Sequence, residues 1–417
     1  MTTRVEDVTF RGLFTNRDFA VLYATGTQSQ LGDQLARVAL TVLVFTRTGS
    51  AFLTATTYAL TFLPALIGGI TLSGLADTKP RRTLLVGCDA VRAVVYALMA
   101  IPRVPLVAVC VLLVLAVLMG SPYNAAEPAL VADIFDGPRY LAAIGLRTAT
   151  LQAAQLVGFA AGGLVVAVTG ARAALLIDAA TFAASAIILR LLLSSYPAAS
   201  GGQRTAGQVR RGVRAVAADP RLRVLLGFAW LMALWVIPEG LAAPYADAHG
   251  GGATSVGILL AANPAGNLLG TLLLTRWIPS ASRERLLGVL AFASGLPLLM
   301  CAAGPPISLA VLLWGVCGVF TAYLVVVIAE FVAIVPSTVR GQAIGLASAS
   351  LLAAQGIGLI VGGAMDTVWG TGTAIAVAGG LGSLLALPLA LARHRLREVE
   401  SAGERSDTVR GAHRMGG

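Results

Sequence analysis

The sequence predicts an all-α membrane protein with about twelve transmembrane helices in two related halves, and three observations carry that reading. Of 417 residues, 57% are hydrophobic and only 12% are charged, against about 25% charged in soluble domains. Apolar runs follow one another through nearly the whole chain, each close to the roughly 20 residues that a hydrocarbon core about 30 Å thick asks of a helix. Short motifs of the first half recur in the second at a fixed spacing.

The apolar runs divide the chain. A lead-in, residues 1–16, is polar and lacks a cleavable apolar core. The first six-helix unit, 17–193, has runs near 19–45, 51–74, 83–101, 104–127, 140–168 and 173–193. A linker follows at 194–220, containing Gly201-Gly202 and a basic stretch from Gln208 to Arg214 that reads as an amphipathic surface helix. The second unit, 221–392, has runs near 222–245, 254–277, 286–303, 307–335, 342–368 and 374–391, and a tail at 393–417 is expected to be disordered.

Charge orients the chain. The net charge is +10, yet the basic residues lie between apolar runs instead of forming one face of a water-soluble fold, so nucleic acid is not an expected partner. Arg17, Lys79, Arg81, Arg82, Arg139, Arg190, Arg221, Arg276, Arg283, Arg340 and the tail arginines fall on one side of the alternating loops, and only Arg47, Arg103 and Arg172 fall on the other. Positive loops stay in the cytoplasm, which puts both termini inside a cytoplasmic membrane that the chain crosses many times.

Several chemistries are excluded. Lys79 is the one lysine, and Pro80 follows it, so no phosphate-binding Gly-Lys-Ser/Thr loop exists. Cys88, Cys110, Cys301 and Cys317 sit singly in apolar runs, and His249, His394 and His413 lie outside every predicted span. Neither a disulfide, a metal centre nor a histidine proton relay is expected. The chain reads as a non-enzyme without a cofactor, its partners being lipid, a small molecule and protons, and it is expected to act as a monomer.

The internal repeat is the most specific structural signal. Ala143-Ile144-Gly145-Leu146 recurs as Ala343-Ile344-Gly345-Leu346, Ala153-Ala154-Gln155 as Ala353-Ala354-Gln355, and Gly158, Gly162 and Gly163 as Gly358, Gly362 and Gly363. Pro64-Ala65 matches Pro264-Ala265, and Ala126-Glu127 matches Ala329-Glu330 at a slightly different offset. Small residues at fixed spacing let membrane helices pack closely. Duplicated halves with a site at their interface are a transporter architecture.

These halves, the middle linker and the segment Gly74-Leu75-Ala76-Asp77-Thr78-Lys79-Pro80-Arg81-Arg82 together resemble the major facilitator superfamily. The segment is similar to that superfamily's loop between helices two and three, with Ser73 and Pro80 where glycine is usual. Asn16-Arg17-Asp18-Phe19, Ser29-Gln30-Leu31-Gly32-Asp33, Asp89-Ala90-Val91-Arg92 and Asp178-Ala179-Ala180-Thr181-Phe182 resemble the branch of macrolide-efflux and enterobactin-exporter-like drug:proton antiporters. That resemblance implies export of amphipathic drugs, antibiotics or siderophore-like natural products by proton antiport, with helices 1, 4, 7 and 10 lining the cavity. Gly158-Phe159-Ala160-Ala161-Gly162-Gly163 is similar to an antiporter signature, with Phe159 where proline is usual. An importer of a small nutrient, or a non-transporting sensor on the same scaffold, fits the sequence too.

Ionisable residues inside the spans are the site candidates, because a charge at mid-bilayer costs about 2.5–3.5 kcal/mol on insertion scales and persists only when paired, wetted or functional. Asp33 and Arg37 lie one turn apart on one helical face, either as a proton carrier with its modulator or as a permanent pair. Glu239, in the Pro238-Glu239-Gly240 break of helix seven, is a candidate for the coupling proton, for a cationic substrate or for a pair with Arg37. Glu127 and Glu330 hold equivalent places in helices four and ten. The resemblance implies an inner gate in which Glu127 meets Arg81, with Arg82 nearby, while Asp77 faces the start of helix eleven. Glu330 is left as either a second latch or a cavity carboxylate. Asp89 with Arg92 is expected to serve folding, as is Asp178, placed as a cap near the start of helix six, and Arg147 could counter a carboxylate or an anionic substrate.

Overall fold

The computed structural model describes residues 10–72, 75–196, 213–336 and 339–415; the side chains of Asp77 and of residues 399–415 lie outside the described set. Most of the expected linker helix lies outside it as well, with residues 213–218 helical where the description resumes.

Among the described residues the chain is helical throughout. The first half comprises α1 (Arg17–Thr48), α2 (Ala51–Ala59), α3 (Leu63–Thr71), α4 (Arg81–Met99), α5 (Leu106–Ile134), α6 (Gly137–Thr169) and α7 (Ala171–Leu192). The second comprises α8 (Pro220–Trp230), α9 (Met232–Trp235), α10 (Ile237–Gly240), α11 (Ala242–Ala248), α12 (Ala253–Trp277), α13 (Ser280–Leu299), α14 (Ile307–Thr321), α15 (Tyr323–Ile334), α16 (Arg340–Trp369) and α17 (Thr371–Met415). Ten described spans, counting α2 with α3, α8 with α9–α11 and α14 with α15 as single runs, are long and apolar enough to cross a membrane. α1 and α4, of 32 and 19 residues, fall outside that set; they hold Asp33, Arg37, Asp89 and Arg92.

Local chemistry sets the helix ends. Asn16 caps α1 by accepting from the Phe19 amide at 3.1 Å, and Ser50 caps α2 by accepting from that of Leu53 at 3.2 Å, each supplying one of the partners that a helix start lacks. Gly170 and Gly370 end α6 and α16 at equivalent points of the repeat, with φ of 83° and 79°, a region that glycine enters without steric cost. Pro238 falls where the seventh span breaks into α8–α11, as expected of a residue that removes a helix hydrogen bond. The tail differs from expectation: α17 continues to Met415. Pro388 lies inside α17, whereas 389–415 contain no proline and many arginines, glutamates and alanines, which suit a helix.

Apolar side chains face outward as well as inward. Val107, Leu164, Val168, Leu384 and Leu391 are largely exposed, the arrangement a hydrocarbon solvent permits. Inside the first half, α1 packs on α6 and α7, and α4 on α5 and α7. The second half repeats the scheme, with α9 on α16 and α13 on α14 and α17. The two bundles join through α6 against α12 and α2 against α16, again an equivalent pair.

The repeated glycines build these joints. A Cβ on Gly158 would meet the Gln34 side chain at 2.7 Å, and one on Gly162 would lie 3.2 Å from Leu35 Cα, both on α1 of the same bundle. Gly358 and Gly362 face Ala233 and Ile237 of their own bundle in the same way. The third glycine of each set looks across to the other bundle: Gly163 onto Gly257 of α12, and Gly363 onto Phe52 and Ala55 of α2. Both cross-bundle contacts lie toward the ends of α6 and α16 that are far from the arginine-rich loops, so the bundles are closed on each other at that end.

A Cβ on Gly163 would lie 2.7 Å from Gly257 Cα and 2.8 Å from the Ala253 carbonyl oxygen, and backbone cannot move aside as a flexible side chain can. Overpacking of this kind costs about 1–3 kcal/mol. Gly163→Ala is expected to shift the population of the closed joint by roughly 5- to 150-fold toward separation. Distances between spin labels on α6 and α12 in lipid nanodiscs check this; an unchanged distribution removes the joint from control of closure.

Candidate functional site

A polar recess opens in the wall of the first bundle where α1, α4, α5 and α6 converge. Tyr23, Gln30, Asp33, Arg92, Tyr123, Asn124, Glu127 and Arg147 are among its lining residues. Asp33 does not pair with Arg37. Arg92 crosses from α4, and its Nη2 donates to both Asp33 oxygens, at 2.5 and 2.7 Å. The guanidinium carbon lies 3.9 Å from the centroid of the Phe182 ring, so an aromatic face covers the side that no carboxylate meets. Helix neighbours four apart contribute only about 0.2–0.5 kcal/mol, and a buried charge-assisted contact outweighs that. Arg37 instead lies over the Phe62 ring at 5.5 Å.

Asp89, on the same helix as Arg92, accepts from Ser185 Oγ at 2.6 Å and has Arg92 Nη1 at 4.0 Å. This pair therefore reaches the recess wall through Arg92 and is not confined to the periphery of the bundle. Asp178 is not a cap. The N-cap of α7 is Gly170, and Asp178 stands well inside the helix, fully buried.

The gate pairing differs from expectation. Glu127 binds Arg147 of α6 at 2.6 Å, and Arg81 binds Asp133 at 3.3 Å. Arg82 donates to the Arg190 carbonyl oxygen. In this conformation the interior carboxylate takes the nearest interior cation, leaving the loop arginine to the more exposed Asp133. The expected latch from Asp77 to the start of helix eleven falls on a side chain outside the described residues.

Glu239 joins the two bundles. Tyr58 Oη, on α2, donates to Glu239 Oε2, on α10, at 3.0 Å, and the Arg37 charge acts on both groups. A Cβ on the neighbouring Gly240 would lie 3.4 Å from Ala55 Cβ, so this bridge sits in the closed joint. Tyr58 escapes sequence reasoning; its only signal is a phenol within a run of small residues and threonines, Thr54-Ala55-Thr56-Thr57-Tyr58-Ala59.

Glu330 lies elsewhere. Arg393 of α17 donates to both its oxygens, at 2.6 and 2.5 Å, and Arg397 lies 3.5 Å from Oε1 while binding Glu284 at 2.5 Å. The partners absent from the loops come from the last helix, and Glu330 belongs to a strap at the arginine-rich end of the second bundle.

Two helical bundles, closed on each other at one end and holding a polar recess within an apolar exterior, define a multi-pass membrane transporter. A family model described as Major Facilitator Superfamily matches residues 22–246, and the chain belongs to that superfamily. Its fold is similar to that of the POT family transporter PepTSo, at 12% identity and a TM-score of 0.74 over 92% of this chain and 98% of that one. A peptide transporter POT in complex with sulfate matches at 14% identity and a TM-score of 0.74, over 91% and 94% of the two chains. A bacterial homologue of the human lysosomal transporter Spinster, inward-facing and unoccupied, matches at 14% identity and 0.69, over 90% and 97%. No curated protein matches the sequence.

Removing Arg92 leaves the fully buried Asp89 and the half-buried Asp33 without their cation, and losing one partner of a buried ion pair costs about 3–5 kcal/mol, less where the remaining charge reaches water. Arg92→Met is therefore expected to lower the thermal unfolding midpoint strongly, and adding Asp33→Asn should recover part of the loss. Equal midpoints for the single and double variants in the same detergent would show that Asp33 and Arg92 do not interact.

Proposed function

We propose that this protein is a proton-driven secondary transporter that exports small amphipathic molecules by alternating access between its two bundles. In this reading α1 and α4 span the membrane with the other helices, giving twelve spans. The arginine-rich end and both termini face the cytoplasm, and a monomer in the cell membrane is the working unit. The present arrangement is then the one closed to the outside.

The observation that carries the reading is the placement of one carboxylate on the recess wall and another in the joint between the bundles. Asp33 lines the recess and is held by Arg92, whereas Glu239 bridges the bundles through Tyr58. The polar group of a substrate enters the recess, and its apolar part stays in the gap between bundles. Opening the far end breaks the Tyr58–Glu239 contact, worth about 1.5–3 kcal/mol for a hydrogen bond to a charged group, and exposes Glu239 to external protons. Protonation there and at Asp33 weakens the hold on a cationic pole, so substrate leaves outward and the proton is delivered inward on return. The resemblance to drug:proton antiporters supports this direction. The charged side chains of Asp33, Arg92, Glu127 and Arg147 in the recess favour a second reading, carriage of a small polar nutrient inward.

Inside-out vesicles with an imposed proton gradient separate the two. Accumulation across a panel of amphipathic antibiotics and siderophores is expected to collapse with an uncoupler. Asp33→Asn and Glu239→Gln should each reduce it by at least about tenfold, equivalent to about 1.36 kcal/mol, while the variants remain folded. Gradient-driven loss from the vesicles would establish import, and accumulation indifferent to the uncoupler would rule out proton coupling.

A further inference from the structure

Two carboxylates of the first bundle, Asp89 and Asp178, are fully buried and do not line the recess. The Oδ1 of Asp178 accepts only from Thr181 Oγ1, at 3.3 Å, and that hydroxyl also donates to the Asp178 carbonyl oxygen at 2.8 Å. Among the described residues its Oδ2 has no hydrogen-bond partner, and it has no exposed surface. On the facing helix stands Gly32, where a Cβ would lie 2.6 Å from Thr181 Oγ1 and closer still to Asp178 Oδ1. The carboxyl thus fills a notch in α1 directly beside Asp33.

The charges of Asp33 on α1 and of Asp89 and Arg92 on α4 act on Asp178, and Asp178 acts in turn on the Tyr96 phenol. Two carboxylates contact one guanidinium, whose Nη2 is committed to Asp33 and whose Nη1 lies 4.0 Å from Asp89, and Asp178 has no part in that pairing. Burying an ion costs several kcal/mol unless it is paired and hydrogen-bonded. Asp33 has two charge-assisted contacts, and Asp89 has a short bond from Ser185 with Arg92 4.0 Å from its other, unbonded oxygen, whereas Asp178 has half of one long bond and no cation within ion-pair distance among the described residues, so the cost of a third charge falls on Asp178. Oδ2 has no exposed surface, and a proton is the ligand that fits it.

Resting on the proton-driven reading above, we propose that Asp178 is a proton-holding residue of the transport cycle, exchanging its proton with Asp33 as Arg92 changes partner. While Arg92 binds Asp33, the proton stays on Asp178. When Arg92 turns toward Asp178, the O–H bond there breaks and an O–H bond forms on Asp33. The guanidinium keeps its own protons, and the charge of the cluster is unchanged. Asp33, on the recess wall, passes the proton to and from the aqueous side.

Infrared spectra of the purified protein in lipid nanodiscs test this without any substrate. At neutral pH the wild-type protein should show the carbonyl stretch of a buried carboxylic acid, shifted in heavy water, and Asp178→Asn should lose it. Asp178→Glu keeps an acid in place and should move the band, which supplies the same test if the Asn variant fails to fold. Absence of the band in the wild-type protein, or the same band in wild type and Asp178→Asn, overturns the proposal. The vesicle assays judge proton-driven transport separately, since an uncoupler-insensitive wild type would sink that reading while leaving the infrared result intact.

Discussion

The Arg92 guanidinium is the interaction on which the first bundle depends. A medium that penalises each buried charge by several kcal/mol still accommodates Asp33, Asp89 and Asp178 within one bundle, and Arg92 is the cation that binds Asp33 and stands 4.0 Å from Asp89. Its planar fork engages Asp33 and approaches Asp89, while Phe182 covers its face. A lysine would present a point charge with neither property. Packing of α1, α4 and α7 is thereby tied to the ionisation of the side chains between them.

Backbone symmetry and chemical symmetry diverge. Both halves use glycines at the same spacing to seat one helix within its bundle and against the other bundle. At the offset that relates those glycines, the positions of Asp33, Asp89, Arg92, Arg147 and Asp178 hold Ala233, Val289, Phe292, Ala347 and Ala378 in the second half. The duplicated scaffold preserves the joint, and the ion network belongs to the first bundle. The second contributes Glu239, placed in the joint itself by the break of its first span.

Much of the scaffold is legible in the sequence because the signals are local: apolar run length, alternating loop charge, repeated glycines and a proline-glycine break. The partners of the buried charges are not, because a partner depends on the rotation and depth of a different helix. Asp33 and Arg37 do share a face, yet a longer side chain from α4 reaches Asp33 instead. Asp178 reads as a cap only if the helix begins several residues later than Ala171. Glu330 lacks a loop partner in the sequence because its cations come from the far end of the chain. α1 and α4 show the same limit in reverse: the ions they carry dilute the apolar signal by which a span is recognised.

The strap from Arg393 and Arg397 to Glu330 and Glu284 has a mechanical consequence. α17 has 45 residues, and at about 1.5 Å per residue such a rod is roughly twice as long as the hydrocarbon core is thick. Clamped to the second bundle where it emerges, it works as a pointer: a small tilt at its root becomes a large sweep at its tip. A dye or protein fused to the carboxyl end would magnify any tilt of that bundle into a displacement that light can follow.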